Sequence, residues 1–229
     1  MLTEKQFFDN LRNVLSRGWV EIPDYHGYRG TGGVGIILNE LLGCSNNNED
    51  IPNSSKWEVK FHSGKAPLTL FHKTPEPRGV MRAMVHNYGW PTENGLISFR
   101  HTIWGESPLG FKVCDDSQRV IVRKERDSAD IIPPYWTYDT LYAAFAGKMR
   151  RLVVVNGITE GNRALYQNAY LYTEPRITQF VSALTQGIIA IDFDARTTES
   201  GGIRDHGTKF RIKMEDIGHL YSECRPFNP

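Results

Sequence analysis

Cysteine is scarce in this chain. The three among 229 residues, Cys44, Cys114 and Cys224, are far apart and show no CxxC spacing. A scattered odd set excludes a disulfide scaffold and a thiolate zinc site, and reduced thiols point to the cytoplasm. Long apolar runs are absent too: none reaches transmembrane length. Glu4, Lys5 and Asp9 interrupt the N-terminal apolar residues, so this stretch does not read as a signal peptide. Net charge is close to nil at +1, so any polyanionic partner has to be met by a local basic patch. Missing as well are a GxSxG elbow, an HExxH pair and a Walker lysine, and the seven histidines include no i, i+4 ligand pair. Nothing therefore supports a zinc hydrolase, an elbow-type serine hydrolase or a P-loop enzyme. No internal repeat, low-complexity segment or obvious linker is present.

What is abundant is core-forming material, 40% hydrophobic and 11% aromatic residues, enough for one large domain or two lobes sharing a core. Thr3 and Gln6 form a capping-box pattern ahead of Phe7, Phe8, Leu11, Val14 and Leu15, which predicts an amphipathic helix ended by Gly18. Residues 23–35 are a glycine-rich loop. Gly30, Gly32 and Gly35 satisfy GxGxxG, but no apolar strand precedes them, so a dinucleotide site is disfavoured. A second helix is predicted over 34–42 and a third over 81–88. Short strands are expected around 96–99, 111–113 and 120–122, then a helix over 140–149, a buried central strand at 152–155 and another at 169–172. A helix over 177–184 and a strand over 187–193 follow. The last third holds the most basic stretch, where Arg196, Arg204, Lys209, Arg211 and Lys213 face only Glu199 and Asp205 in opposition. Its plainest reading is a solvated hairpin.

The chemistry concentrates at residues 50–60. If Trp57 to Phe61 form a strand, Glu58 and Lys60 share one face while Val59 points into a core. A turn at Asn53-Ser54-Ser55 can fold Asp50 back beside them, and a second strand at 68–71 completes a hairpin. Two carboxylates and an ammonium converging on one point are what a magnesium-dependent nuclease needs: hard oxygen ligands and a cation beside the attacking water. By itself, Glu40 on its helix reads as a solvated surface residue.

Four words in the sequence carry a more specific signal: TGGVG…LNELLG, EDIPNSSKWEVKFH, LTLFHKTPEPRG and RDHGTKFRIKME. In this order, across residues 18 to about 217, they resemble the MvaI/BcnI-type restriction endonucleases, a MutH-like branch of the PD-(D/E)xK nucleases. The resemblance implies an α/β (α+β) fold with a mixed central sheet flanked by helices, and two lobes forming a DNA cleft. It implies one restriction-endonuclease-like domain over 1–229, with a catalytic lobe at about 1–90 plus parts of 91–165 and a recognition lobe at about 166–229. Carried over residue by residue, it gives Glu40, Asp50, Glu58 and Lys60 as catalytic, with Asp50 and Glu58 holding Mg²⁺, and His62 and Lys73 as phosphate contacts. Base reading falls on Arg204, His206 and Arg211, with Asp192, Asp194 and Arg196 as partners from the preceding strand. The implied activity is type II restriction of double-stranded DNA at a short GC-rich, CCNGG-like pseudo-palindrome, by a monomer cutting the strands in turn, beside a companion DNA methyltransferase. A MutH-like repair nickase and a DNA-binding protein without catalysis are the alternatives.

Overall fold

The structure, a computed structural model, describes residues 2–25, 28, 32–44, 56–125 and 131–228. The elements begin with α1 (Glu4–Ser16), β1 (Trp19–Glu21), α2 (Gly33–Leu42), β2 (Glu58–His62), β3 (Leu68–His72) and α3 (Val80–Tyr88). Next come β4 (Trp90–Pro91), β5 (Ile97–Ile103), β6 (Phe111–Asp115), β7 (Arg119–Lys124), β8 (Tyr135–Thr137) and α4 (Tyr138–Lys148). The chain finishes with β9 (Leu152–Glu160), β10 (Arg163–Pro175), α5 (Gln179–Thr185), β11 (Ile189–Thr197), β12 (Ile203–Asp205), β13 (Lys209–Ile212), a 3-10 helix (Met214–Leu220) and β14 (Tyr221–Pro226). Two compact units result. One gathers Met1–Leu68, Ala146–Arg176 and Ile217–Pro229; the other Thr69–Phe145 and Ile177–Asp216.

The first unit is built on a mixed five-stranded sheet, β1-β10-β9-β2, with β14 also on β10. Leu152, Val153, Val154 and Val155 open β9 with no exposure, which is why this run takes the interior place, parallel to β2 and antiparallel to β10. Helix α1 starts as its sequence dictates. Thr3 Oγ1 accepts from the Gln6 backbone N–H (3.2 Å) while Gln6 Oε1 accepts from the Thr3 N–H (3.0 Å). Its buried Phe7, Leu11 and Val14 pack with Val34, Leu38 and Leu42 of α2 on the sheet face that carries Val59, Val153, Val155, Tyr166 and Leu171. Each such side chain removed from water contributes about 1.5–3 kcal/mol. Tyr166 then ties helix to sheet, its hydroxyl donating to the Val34 carbonyl at 2.9 Å.

The second unit holds a sheet ordered β3-β13-β11-β5-β4, with β12 also on β11, and an antiparallel three-stranded sheet β6-β7-β8. Phe71, Phe99, Trp136, Phe180, Phe193 and Phe210 fill its core at 2% exposure or less. Phe71 stacks on Phe210 with ring centroids 4.9 Å apart and on Phe180 at 5.5 Å.

One expectation is corrected. The strands at 58–62 and 68–72 do not form a hairpin: β2 pairs with β9 in one sheet and β3 with β13 in the other. Local turn chemistry suggested the hairpin, but the apolar run of β9 offers β2 a fully buried partner that no neighbouring segment matches. The basic stretch does form the expected hairpin: β11 turns at residues 198–202 and β12 returns antiparallel to it, with Arg196 opposite Arg204. Residues 195–197 of β11 pair with β12 and residues 189–192 with β13, so β12 and β13 line the same edge of β11. No described helix is long and apolar enough to cross a membrane.

Candidate active site

Strand β2 brings together the pair that its alternation predicts. Glu58 is 1% exposed, and Lys60 Nζ lies 2.7 Å from its Oε1. The Glu58 backbone N–H donates to the Arg151 carbonyl (2.9 Å), which fixes the start of β2 against β9. Val59, between them, enters the core on the opposite face. The negative charge of Glu58 is felt by its surroundings. Burial first, then that charge, pushes the Cys44 thiol up to about 11, so it stays protonated at neutral pH. Tyr221, whose hydroxyl donates to the Met149 carbonyl at 2.8 Å, is likewise held well above its ordinary value by burial and then by Glu58.

Glu40 is exposed on the last turn of α2, four residues before Cys44, and its Oε1 accepts from the Tyr28 hydroxyl at 2.7 Å. That hydrogen bond is the main reason the Tyr28 phenol is raised above its ordinary value. The local backbone makes the contact possible, because a Cβ on Gly33 would overlap the Tyr28 carbonyl. A close backbone approach explains this glycine. His62 shares the strand face of Glu58 and Lys60, with Nε2 3.1 Å from the Ala66 carbonyl oxygen. Asp50 and its turn lie outside the described residues. Among the described residues no group of three or more His, Cys, Asp or Glu side chains assembles as a metal site. Glu58 supplies a hard carboxylate oxygen, the donor type that Mg²⁺ takes, so the residues present fit that ion.

Lys73 belongs to the second unit, its N–H donating to the Thr208 carbonyl (3.0 Å) and its carbonyl accepting from Trp136 Nε1 (3.0 Å). The remaining expected residues share that unit. Asp192, Asp194 and Arg196 alternate with the buried Ile191, Phe193 and Ala195 on β11. Asp192 accepts from Thr102 Oγ1 (2.8 Å) and pairs with Arg211 (3.3 Å). Asp194 pairs with Arg100 (2.9 Å) and Lys209 (3.0 Å), and its backbone carbonyl accepts from the His206 N–H (2.9 Å). Arg204 is in register with Arg196 and exposed. Sequence reasoning missed Arg100, Thr102 and Lys209. For Arg100 and Thr102 the signal was the alternation of Ser98, Arg100 and Thr102 against Phe99 and Ile103, visible once the strand is known to run to residue 103.

Arranged this way, one unit offers a buried carboxylate with a lysine on its face, and the other a sheet face of acid-braced cations. The sequence profile of the MvaI/BcnI restriction endonuclease family matches residues 8–221. Among solved structures, the restriction endonuclease MvaI–cognate DNA substrate complex is similar with a TM-score of 0.82 at 27% identity, covering 99% of each chain. MvaI in the absence of DNA gives a TM-score of 0.60 at 26% identity, over 100% of this chain and 99% of that one. No curated protein sequence matches. The chain belongs to the MvaI/BcnI restriction endonuclease family.

Proposed function

We propose that this restriction endonuclease hydrolyses phosphodiester bonds of double-stranded DNA with Mg²⁺, at a short GC-rich, CCNGG-like pseudo-palindrome, as a monomer that cuts the two strands one after the other. The observation that carries this reading is the Glu58–Lys60 pair, a 1%-exposed carboxylate with an ammonium 2.7 Å away on one strand face. Glu58 and Asp50 would hold the ion, and Glu40 would complete the carboxylate set. When bound, the ion supplies Lewis acidity at the phosphoryl oxygen and a more acidic water. Lys60 orients the attacking water and stabilises the negative charge that develops on the phosphate. His62 and Lys73 contact the scissile phosphate.

Site choice rests on Asp192, Asp194, Arg196, Arg204, His206 and Arg211. Arginine suits guanine because its planar fork matches O6 and N7, each such pair discriminating by roughly 1–3 kcal/mol. The first unit, which carries Glu58 and Lys60, would do the cutting, and the second, which carries Asp192, Asp194, Arg196, Arg204, His206 and Arg211, the reading. In the cytoplasm a companion methyltransferase would protect host copies of the same site.

Incubating purified protein with plasmid DNA and Mg²⁺, with and without EDTA, and sequencing the product ends tests the proposal. Discrete fragments ending at one motif support it, and open circles alone assign the enzyme to single-strand nicking. No cleavage with any divalent metal overturns the proposed chemistry. Asp50→Ala should abolish cutting while DNA binding persists.

A further inference from the structure

On the sheet face of Glu58 and Lys60, the row of side chains one step further along is polar across three strands. His62 on β2 is in register with Asn156 on β9, and Asn156 with Asn168 on β10. The rows before it are different. Lys60 continues into Val154 and Tyr170, and Glu58 into Leu152 and Tyr172, with Val154 and Leu152 fully buried. Asn156 is partly buried and Asn168 exposed, so the face opens to solvent at this row.

The row depends on an irregularity in the sheet. Between Tyr166 and Asn168 the β9–β10 register shifts by one residue. An uninterrupted ladder would set Gln167 opposite Asn156 and turn Asn168 toward the core. The bulge turns Asn168 outward and returns Ala169, 1% exposed, to the interior. Gly157 lets the strands close up here, since a Cβ would overlap the Leu165 carbonyl and sit 3.0 Å from the Phe61 ring.

Asn156 Nδ2 donates to Asn168 Oδ1 at 3.0 Å. With its carbonyl so engaged, Asn168 presents its NH₂ group, two donors on an exposed side chain. The Oδ1 of Asn156 is buried without a hydrogen-bond partner among the described residues, an arrangement that costs stability and calls for a functional reason. We propose that Asn168, held by Asn156, donates to a backbone phosphate oxygen of the DNA strand being cut, beside the scissile phosphate. The row lies about 7 Å along the strand from Lys60, and Asn168 about 10 Å across from His62. Asn168 is too far away to share the phosphate that Lys60 serves, so it binds a neighbouring one. A neutral donor releases no counterion and fixes register without reading a base. The inference rests on the nuclease reading of the Glu58–Lys60 face.

Duplexes carrying the site mapped by plasmid cleavage, with a methylphosphonate at one phosphate at a time, test it. Asn168→Ala should lower kcat/KM roughly 10-fold, the size of one hydrogen bond to a charged acceptor. Base preference and the salt dependence of binding should stay as in the wild type. One methylphosphonate position that slows the wild type should no longer slow Asn168→Ala. Asn156→Ala should lose sensitivity at the same position, which a structural role alone would not produce. Asn168→Asp should be worse than alanine, because its charge repels phosphate. Wild-type cleavage by Asn168→Ala, or an unchanged methylphosphonate pattern in it, overturns the inference. Lys60→Ala in parallel separates the two levels: normal cutting there sinks the nuclease reading itself, whereas an inactive Lys60→Ala beside a normal Asn168→Ala sinks only the phosphate contact.

Discussion

Lys60 Nζ sits 2.7 Å from Glu58 Oε1, and Glu58 is 1% exposed. The period of two along β2 puts both side chains on one face, so an ammonium stands beside a carboxylate withdrawn from water. Both are expected to act on the reacting phosphate rather than on DNA affinity. Glu58→Gln and Lys60→Met should each lower the single-turnover cleavage rate by about 10²–10³-fold. Specific binding measured in EDTA should persist. Binding losses as large as the rate losses would reassign the pair to DNA capture.

The Asp192–Arg211 contact argues a different kind of effect. Asp192, its side chain 13% exposed, takes a hydrogen bond from Thr102 and holds one arm of the guanidinium at 3.3 Å. An arginine braced in this way is pre-organised for a base edge. Arg211→Ala should relax discrimination at one base-pair position by about 1–3 kcal/mol, read by selection from randomised duplexes. Were Arg211 instead a phosphate contact, preference would be kept and the salt slope of binding would fall by about 1.

Asp194 yields a prediction in pH. Burial pushes its carboxyl up, but the Lys209 hydrogen bond and the charges of Lys209, Arg100 and His206 outweigh this and hold it below the ordinary value of 3.8. A carboxyl depressed on folding stabilises the fold above its unfolded value, and the contribution fades as pH falls through the folded one. The urea-midpoint gap between wild type and Asp194→Asn should thus be constant from neutrality to about pH 4 and narrow below it. A gap that stays constant into stronger acid would mean the carboxylate charge is not what stabilises this sheet.

The legible parts of this molecule are those whose signal is local. Thr3 and Gln6 announce α1 because the capping box closes within one turn. Residues 152–155 announce an interior strand because nothing in the run tolerates water. Glu58 and Lys60 share a face by the period of two that any strand imposes. Pairing was not legible. The partner of β2 lies some ninety residues on, in β9, and no turn residue encodes that choice. The bulge at Asn168 was hidden for a similar reason, since Gln167-Asn168 look like a polar break and not the middle of a 13-residue strand. Arg100 and Lys209 joined the candidate site only when register set Arg100 opposite Asp194 and Lys209 opposite Asp192, from where Lys209 pairs diagonally with Asp194.

Glu4 supplies the last prediction. Its carboxylate accepts from Trp57 Nε1 (3.0 Å) and Arg151 (3.1 Å) and pairs with Lys56 (3.3 Å), while the Arg151 guanidinium lies 5.6 Å from the centre of the Trp57 ring. Trp57 immediately precedes Glu58, and the Arg151 carbonyl holds the Glu58 N–H, so one side chain of α1 fastens the starts of both β2 and β9. The Trp57 hydrogen bond, against an opposing push from burial, draws the Glu4 carboxyl below its ordinary value, with Lys56 and Arg151 adding to the effect. With about a third of the Glu4 side chain exposed, the ion pairs are screened and contribute little, of the order of 0.2–1 kcal/mol each. The bond from the buried indole adds about 1 kcal/mol. Glu4→Ala should therefore lose about 1.5–3 kcal/mol in urea unfolding, and Glu4→Gln, which keeps an oxygen for the indole, about 1 kcal/mol less. Equal losses in the two variants would show that charge, and not the Trp57 hydrogen bond, fastens β2.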